Sequence, residues 1–208
     1  MAANYDKIAP VYDLLSRIIF GRQIINAQVG LLKYIPANGR LLIVGGGTGW
    51  ILEEITKLHS ADLTIDYVEP SARMMVLSRK RNCGRNTVNF IKLPIEDFNA
   101  YLQYDVIMTP FFFDNLEQDK IGIVFSKLNA LLKANGLFLY TDFVNDGGKG
   151  PLWQKILLYI MYVFFKLTCG IEANELIDMG GYFNESYQVI IETRYYLKFI
   201  RAVAYQKT

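Results

Sequence analysis

Four glycines fall within five positions, Gly45, Gly46, Gly47 and Gly49, directly after the aliphatic run "LLIV" (41–44). Glycine costs about 0.5–1 kcal/mol relative to alanine inside a regular element, so a cluster this dense serves something other than regular structure. A strand, a glycine turn and a helix N-terminus in succession let a ligand touch main chain and meet outward-pointing N–H groups. Twenty residues past Gly49, Glu69 closes a second apolar run, "LTIDYVE" (63–69). A carboxylate at the carboxyl end of a strand can accept hydrogen bonds from both hydroxyls of a ribose, so the pairing suits a nucleotide-like ligand.

Spacing separates the ligand classes. The ATP/GTP loop needs G-x-x-x-x-G-K-[ST], and no lysine stands near Gly49. The nicotinamide fingerprint G-x-G-x-x-G puts Trp50 or Leu52 where its third glycine must allow close helix–strand packing. G-x-G-x-G, formed by Gly45, Gly47 and Gly49, is what remains.

The elements that position these residues follow from periodicity. Residues 10–35 carry apolar positions at helical spacing, broken at Gly21. "RLLIV" (40–44) reads as a buried strand, "WILEEITKLH" as a helix, "LTIDYVE" as a strand, and Ser71 as the N-cap of "ARMMVLSRKR". "TVNFIK" (87–92), "YDVIMT" (104–109) and "LFLYTDF" (137–143) read as further strands, with "KIGIVFSKLNALLK" a helix stopped by Asn135-Gly136. Alternating strands and helices imply a parallel sheet covered on both faces. "YQVIIETRYY" and "KFIRAVAYQ" break the alternation and predict an antiparallel hairpin turning near Leu197.

In these motifs the chain resembles the class I S-adenosylmethionine-dependent methyltransferases over most of its length. "LLIVGGGTG" is similar to their first motif, and "VEPSARMM" (68–75) to the acid ending their second strand and the Met-containing turn after it. "YDVIMTPFFF" is similar to their fourth strand, and "LLKANGLFLYTDF" to their fifth. The opening "YDKIAPVYDLLS" resembles the N-terminal segment of the quinone-biosynthesis methyltransferases. The resemblance implies an α/β fold, a three-layer Rossmann-like sandwich with a seven-stranded, mostly parallel sheet and the C-terminal hairpin. It implies one domain over 1–208: a helical lid (1–35), a cofactor-binding core (36–143), a helical insert forming the acceptor region (144–186) and the hairpin (187–208).

The function implied is methyl transfer from S-adenosyl-L-methionine to a small apolar or aromatic acceptor. Gly45, Gly46, Gly47 and Gly49 would admit the methionine part, Glu69 with Pro70 the ribose, and Met74 the adenine. Thr109 and Pro110 lie at the carboxyl edge, where ligands of such sheets bind. Tyr5 and Tyr12 belong to the lid, where aromatic faces favour a sulfonium by about 0.5–2 kcal/mol; Phe111, Phe112 and Phe113 lie near the same cleft, with core packing the competing account. Two positions depart from the family. Ile43 stands where an Asp or Glu is usual, and Pro94 stands where many relatives place the Asp that holds the adenine amino group, leaving Ile95 backbone or Glu96 to substitute. These departures keep open a protein that binds S-adenosylmethionine or S-adenosylhomocysteine without catalysis. An NAD(P)-dependent oxidoreductase is the third reading.

In-line methyl transfer needs placement and dehydration first, and a base only if the nucleophile is protonated. Asp142, Tyr140 and Asp114 are the candidate catalytic groups, and His59 falls at the far end of its helix. Scattered acids and one histidine give no metal-ligand spacing. The net charge of +2 exerts no general pull on nucleic acid, and "RKRNCGR" (79–85) reads as the cationic end of a helix. Two cysteines form no framework, and "MAANYDKIAP" has no signal core, so a cytoplasmic protein is expected. The apolar run "ILLYIMYVFF" (156–165), bracketed by Lys155 and Lys166, is short of a membrane span. It is read within a helix whose stripe Trp153, Leu157, Ile160, Phe164 and Leu167 packs over the sheet edge or touches lipid. "GGKG" offers a hinge before it. Monomer and homodimer both remain open.

Overall fold

The structure, a computed structural model, describes residues 4–144, 150–171, 173–184 and 186–208; the "GGKG" hinge falls largely outside them. Seven strands form one sheet: β1 (Arg40–Val44), β2 (Ala61–Val68), β3 (Arg85–Ile91), β4 (Tyr104–Pro110), β5 (Leu132–Phe143), β6 (Tyr187–Tyr195) and β7 (Ile200–Lys207). Their order is β3-β2-β1-β4-β5-β7-β6. The first five are parallel, and β7 lies antiparallel between β5 and β6. Because β1 pairs with β2 on one side and β4 on the other, the order reverses at β1. The connections leaving β1 and β4 diverge there, which opens a crevice at their carboxyl ends.

Both faces of the sheet are covered, so the central strands are apolar throughout rather than alternating. Leu41 and Ile43 of β1 join Val106 and Met108 on one face, under α2 (Gln23–Leu32) and α3 (Trp50–Leu58). Leu42, Val44, Ile107 and Phe138 fill the other face, under α5 (Gln118–Leu131). α1 (Tyr12–Phe20) ends at Gly21, whose φ of 58° stops the helix where the sequence predicts a break. α4 (Ala72–Ser78) is shorter than predicted and starts from Ser71, whose Oγ accepts from the Met74 N–H at 3.2 Å.

α6 (Leu152–Cys169) holds the apolar run within a helix of 18 residues, as expected, and by length and composition alone such a helix could cross a membrane. Its packed face, however, is rotated from the predicted stripe. Trp153, Leu157, Leu158, Met161 and Tyr162 face the domain, whereas Ile160 and Leu167 are exposed. A helix apolar on nearly every side gives periodicity nothing with which to choose a face. A short α7 (Gly180–Phe183) adds Phe183 to the core, stacked on Tyr205 at 3.9 Å.

A buried polar cluster pins the opposite end of the sheet. Asp66 of β2 accepts from Arg40 Nη2 at 2.7 Å, from Asn89 Nδ2 at 2.7 Å and from the Tyr104 hydroxyl, so one carboxylate links four adjacent strands. Burial alone would raise its pKa, but these three donors together hold it below the usual carboxylate range. A depressed pKa means that its stabilisation is present above the unfolded-state value and is lost as pH falls through the folded one. Asp66→Asn should lower unfolding stability at neutral pH by about 3 kcal/mol in a urea titration, with the gap to the parent shrinking below about pH 4.

Candidate active site

A cleft of about 1390 Å³, counted to its open mouth, lies at the carboxyl ends of β1, β2 and β4. Its floor is the glycine turn, where Gly45, Gly47 and Gly49 hold φ values of 68°, 61° and 77°, a region that favours residues without a Cβ. The turn's donors are not all free for a ligand, contrary to the sequence expectation. The Gly45 N–H donates to the Val68 carbonyl at 2.9 Å, and the Gly49 N–H to the Gly46 carbonyl at 3.2 Å. The Gly47 N–H donates to Glu69 Oε2 at 3.0 Å. Tyr67 packs beneath, its hydroxyl donating to the Gly47 carbonyl at 2.9 Å.

Glu69 borders the cleft although only 5% exposed. Its second oxygen accepts from the Ser71 N–H at 2.9 Å. Burial pushes the carboxyl up to about 7; the two backbone donors pull it down, and the nearby Asp6 charge adds to the rise. Each oxygen keeps a lone pair beyond its backbone bond, so the group can accept two further donors from the cleft.

The N-terminal segment closes one side. A 3-10 turn at Tyr5–Lys7 and α1 are held by two carboxylates. Asp6 Oδ1 accepts from Ser71 Oγ at 2.6 Å and from the Arg73 N–H at 2.9 Å. Asp13 accepts from Thr48 Oγ1 at 2.7 Å and pairs with Arg81 at 2.9 Å, while Arg81 Nε donates to the Thr48 carbonyl at 3.0 Å. Arg81 therefore ties α1 to the glycine turn, a different role from the cationic helix end read in "RKRNCGR". α2 turns Ile24, Ile25 and Gln28 to the cleft and Ala27, Leu31 and Leu32 into the core.

Most of the residues singled out in the sequence meet at this cleft: Tyr5, Tyr12, Gly45, Gly46, Gly47, Glu69, Pro70, Met74, Ile95, Glu96 and Pro110, with Phe111, Phe112 and Pro94. Several do not. Gly49 lies below the floor as the N-cap of α3, and Thr109 is fully buried within β4. Ile43 is enclosed in the core and does not reach the cleft. Phe113 and Tyr140 belong to the core on the other face, 6.3 Å apart between ring centres. His59 ends α3, its carbonyl accepting from Asn86 Nδ2 at 2.6 Å.

Asp142, buried, and Asp114, half-buried, also stand outside the cleft, as a pair behind it. Asp142 accepts from the N–H groups of Phe143 at 2.9 Å and Asp114 at 3.2 Å. Burial raises both carboxyls, Asp142 to about 7, and the Asp142 charge raises Asp114 further. Asn115 joins the pair to the cleft: its Nδ2 donates to Asp114 Oδ1 at 2.6 Å, and its Oδ1 accepts from the Tyr5 hydroxyl. Asp114 borders a second, much smaller pocket under α6. The sequence reading missed Asp13, Arg17, Gln28, Trp50 and Asn115 as cleft residues. The polar residues at 13, 17 and 28 within apolar helical periodicity were the available signal.

A crevice at a sheet reversal, floored by a glycine turn and flanked by a carboxylate at the next strand's end, defines a Rossmann-like nucleotide-binding site. Residues 42–138 match the methyltransferase domain family. The ubiquinone/menaquinone biosynthesis C-methyltransferase UbiE of Geotalea daltonii is 30% identical over 151 residues, which cover 70% of this chain and 58% of that protein. The chain thus spans less than two thirds of that relative's length. Mitomycin 7-O-methyltransferase MmcR shares the fold with a TM-score of 0.70 at 11% identity, over 99% of this chain and 61% of that one. So does the 1,6-didemethyltoxoflavin-N1-methyltransferase of Burkholderia thailandensis, with a TM-score of 0.59 at 14% identity, over 96% of this chain and 88% of that one. Through this domain match, this relative and this shared fold, the chain is similar to the class I S-adenosylmethionine-dependent methyltransferases.

The glycines of the turn are not equivalent. A Cβ at Gly49 would come within 2.5 Å of Ser78 Cβ and 2.7 Å of its Cα, on a left-handed backbone, whereas one at Gly47 meets nothing within 4 Å. Gly49→Ala should therefore lower the thermal unfolding midpoint by well over 5 °C, and Gly47→Ala by only a few degrees, the strain of one left-handed alanine being about 1 kcal/mol.

Proposed function

We propose that this chain binds S-adenosyl-L-methionine in the cleft and transfers its methyl group to a small apolar or aromatic acceptor. The observation that carries the reading is Glu69, a buried carboxylate beside a glycine floor, with spare acceptor capacity on the cleft side. The residues fit the group. Open space above Gly47 leaves room for the methionine part against main chain, and Met74 and Ile95, each 2% exposed, supply apolar walls for adenine beside Pro94 and Glu96. The bound cofactor supplies an electrophilic methyl on a sulfonium.

Tyr5 and Tyr12, whose rings meet edge-on at 6.1 Å, put aromatic faces where a cation is favoured and water is excluded. Burial holds both hydroxyls protonated well above neutral pH, so Tyr5 orients rather than deprotonates an acceptor. Asp114 and Asp142 act through Asn115 as positioning residues for that hydroxyl.

The known chemistry of the relatives supports a small-molecule acceptor: one acts in ubiquinone/menaquinone biosynthesis, and the structure of another holds 1,6-didemethyltoxoflavin with S-adenosylhomocysteine. A second reading, a binder without catalysis, is favoured by the removal of Asp114 and Asp142 from the cleft. Calorimetry should show binding of S-adenosylhomocysteine and none of NAD, and a methyl-labelled donor should transfer label to a component of a cell extract. Absence of binding to the first ligand sinks the reading; binding without transfer selects the binder.

Two charged hydrogen bonds at Glu69 are together worth about 3 kcal/mol, so Glu69→Ala should weaken S-adenosylhomocysteine about a hundredfold. Ribose hydroxyls donate, which requires the ionised carboxylate. Affinity should be full above about pH 7 and fall as the group protonates below it, about tenfold between pH 8 and pH 6, with Glu69→Gln flattening the profile.

A further inference from the structure

The outward face of α6 is apolar and has no partner among the described residues. Leu152, Ile156, Tyr159, Ile160, Val163 and Leu167 are 39–78% exposed. At 100° per residue they fill one continuous arc, with Lys155 and Lys166 together on one edge of it, about 16 Å apart along the axis. Lys166 also reaches Asn174 Oδ1. The opposite face is fixed to the domain: the Trp153 ring packs on Phe199 at 5.7 Å, and Phe164 and Phe165 join Cys169 and Ile8. The helix cannot leave its seat to cross a bilayer without exposing that face.

α1 runs beside it in the opposite direction. Tyr196 meets Phe20 of α1 at 5.3 Å and Trp153 of α6 at 5.8 Å, while Tyr5 meets Tyr12 at 6.1 Å and Phe165 at 5.8 Å at the other end. α1 adds exposed Leu14 and Ile18, at 61% and 71%. Its acid, Asp13, is turned inward to Arg81, and α6 contains no carboxylate.

We infer that this face docks in the plane of an anionic lipid bilayer, its apolar arc at the acyl boundary and Lys155 and Lys166 at the headgroups. An in-plane helix needs this division into apolar arc and cationic edge. A two-fold contact between copies would set cations against cations, with no acid on either helix face to answer them. An anionic surface answers them all. The face lies outside the cleft, so its test and the binding of S-adenosylhomocysteine succeed or fail separately.

The full chain should be sedimented with vesicles of phosphatidylcholine, alone or with about 30% phosphatidylglycerol, at about 0.1 M and about 1 M potassium chloride. The expected result is binding to the anionic vesicles that weakens without phosphatidylglycerol and at high salt. Lys155→Ala/Lys166→Ala should bind about tenfold or more weakly, and Ile156→Asn/Ile160→Asn should not bind, both with the parent's unfolding midpoint. Should the isoleucine variant not fold, Leu167→Asn, at the most exposed position of the arc, takes its place. The inference is overturned by no binding to either vesicle, by binding that both variants retain, by resistance to alkaline carbonate extraction, which means a crossing helix, or by a dimer in sedimentation velocity that the isoleucine variant separates.

Discussion

The site depends on one buried carboxylate that bridges two turns. Glu69 takes the Gly47 N–H with one oxygen and the Ser71 N–H with the other, so the loop leaving β1 and the loop leaving β2 share an acceptor. The cost is visible in the carboxyl's upward shift to about 7 on burial. A group placed only to brace the loops could have been an amide with no such cost. An ionisable acceptor kept beside an open cleft is instead suited to donors that arrive from outside. Tyr67 enforces the same geometry from below: its ring stands within 2.4 Å of where a Gly46 Cβ would be. The missing side chain at 46 thus makes room for protein, and the missing one at 47 makes room for a ligand.

The wall contributed by the N-terminus is held differently. Asp6 and Asp13 work at partly exposed positions, and the Asp13–Arg81 pair has side chains 31% and 25% exposed. Such pairs contribute about 0–1 kcal/mol each, far less than the core contacts of α2. Tyr5 and Tyr12 are held chiefly by packing, against Ile8, Phe164, Phe165, Cys169 and Ile171, while α2 is anchored by Ala27, Leu31 and Leu32.

The sheet was legible because its signals are local. "LLIV" before glycines, Asn135-Gly136 and the period-2 runs at the C-terminus each report on their own segment, and the left-handed φ of Gly45, Gly47 and Gly49 is what glycine spacing encodes. Contacts between distant segments were not legible. Nothing near Arg81 in the chain indicates Asp13, 68 residues away, and "FFFDN" does not indicate that Asp114 turns from the cleft toward Asp142. Phe111 and Phe112 reach the cleft while Phe113 enters the core, because Phe111 holds a φ of 50° that redirects the chain after β4. For α6 the failure was one of contrast: with apolar residues on both faces, burial is decided by what the sheet edge offers and not by the helix's own pattern.

The small contacts around Tyr5 join regions that the sequence treats separately. Its ring packs on Phe165 of α6, its hydroxyl donates to Asn115 at the cleft, and the neighbouring Asn4 N–H donates to the Cys169 carbonyl at 2.7 Å. Asn115 in turn donates to Asp114, and the Tyr162 hydroxyl of α6 donates to the Asp114 carbonyl at 3.3 Å. The last turns of α6 therefore touch both the N-terminal segment and the acid pair, while the same helix presents its other face outward. Because a close-packed interior transmits strain, a displacement of α6 of even a few tenths of an ångström is felt at both Tyr5 and Asp114, the two contacts through which a change on the outer surface would reach the cleft.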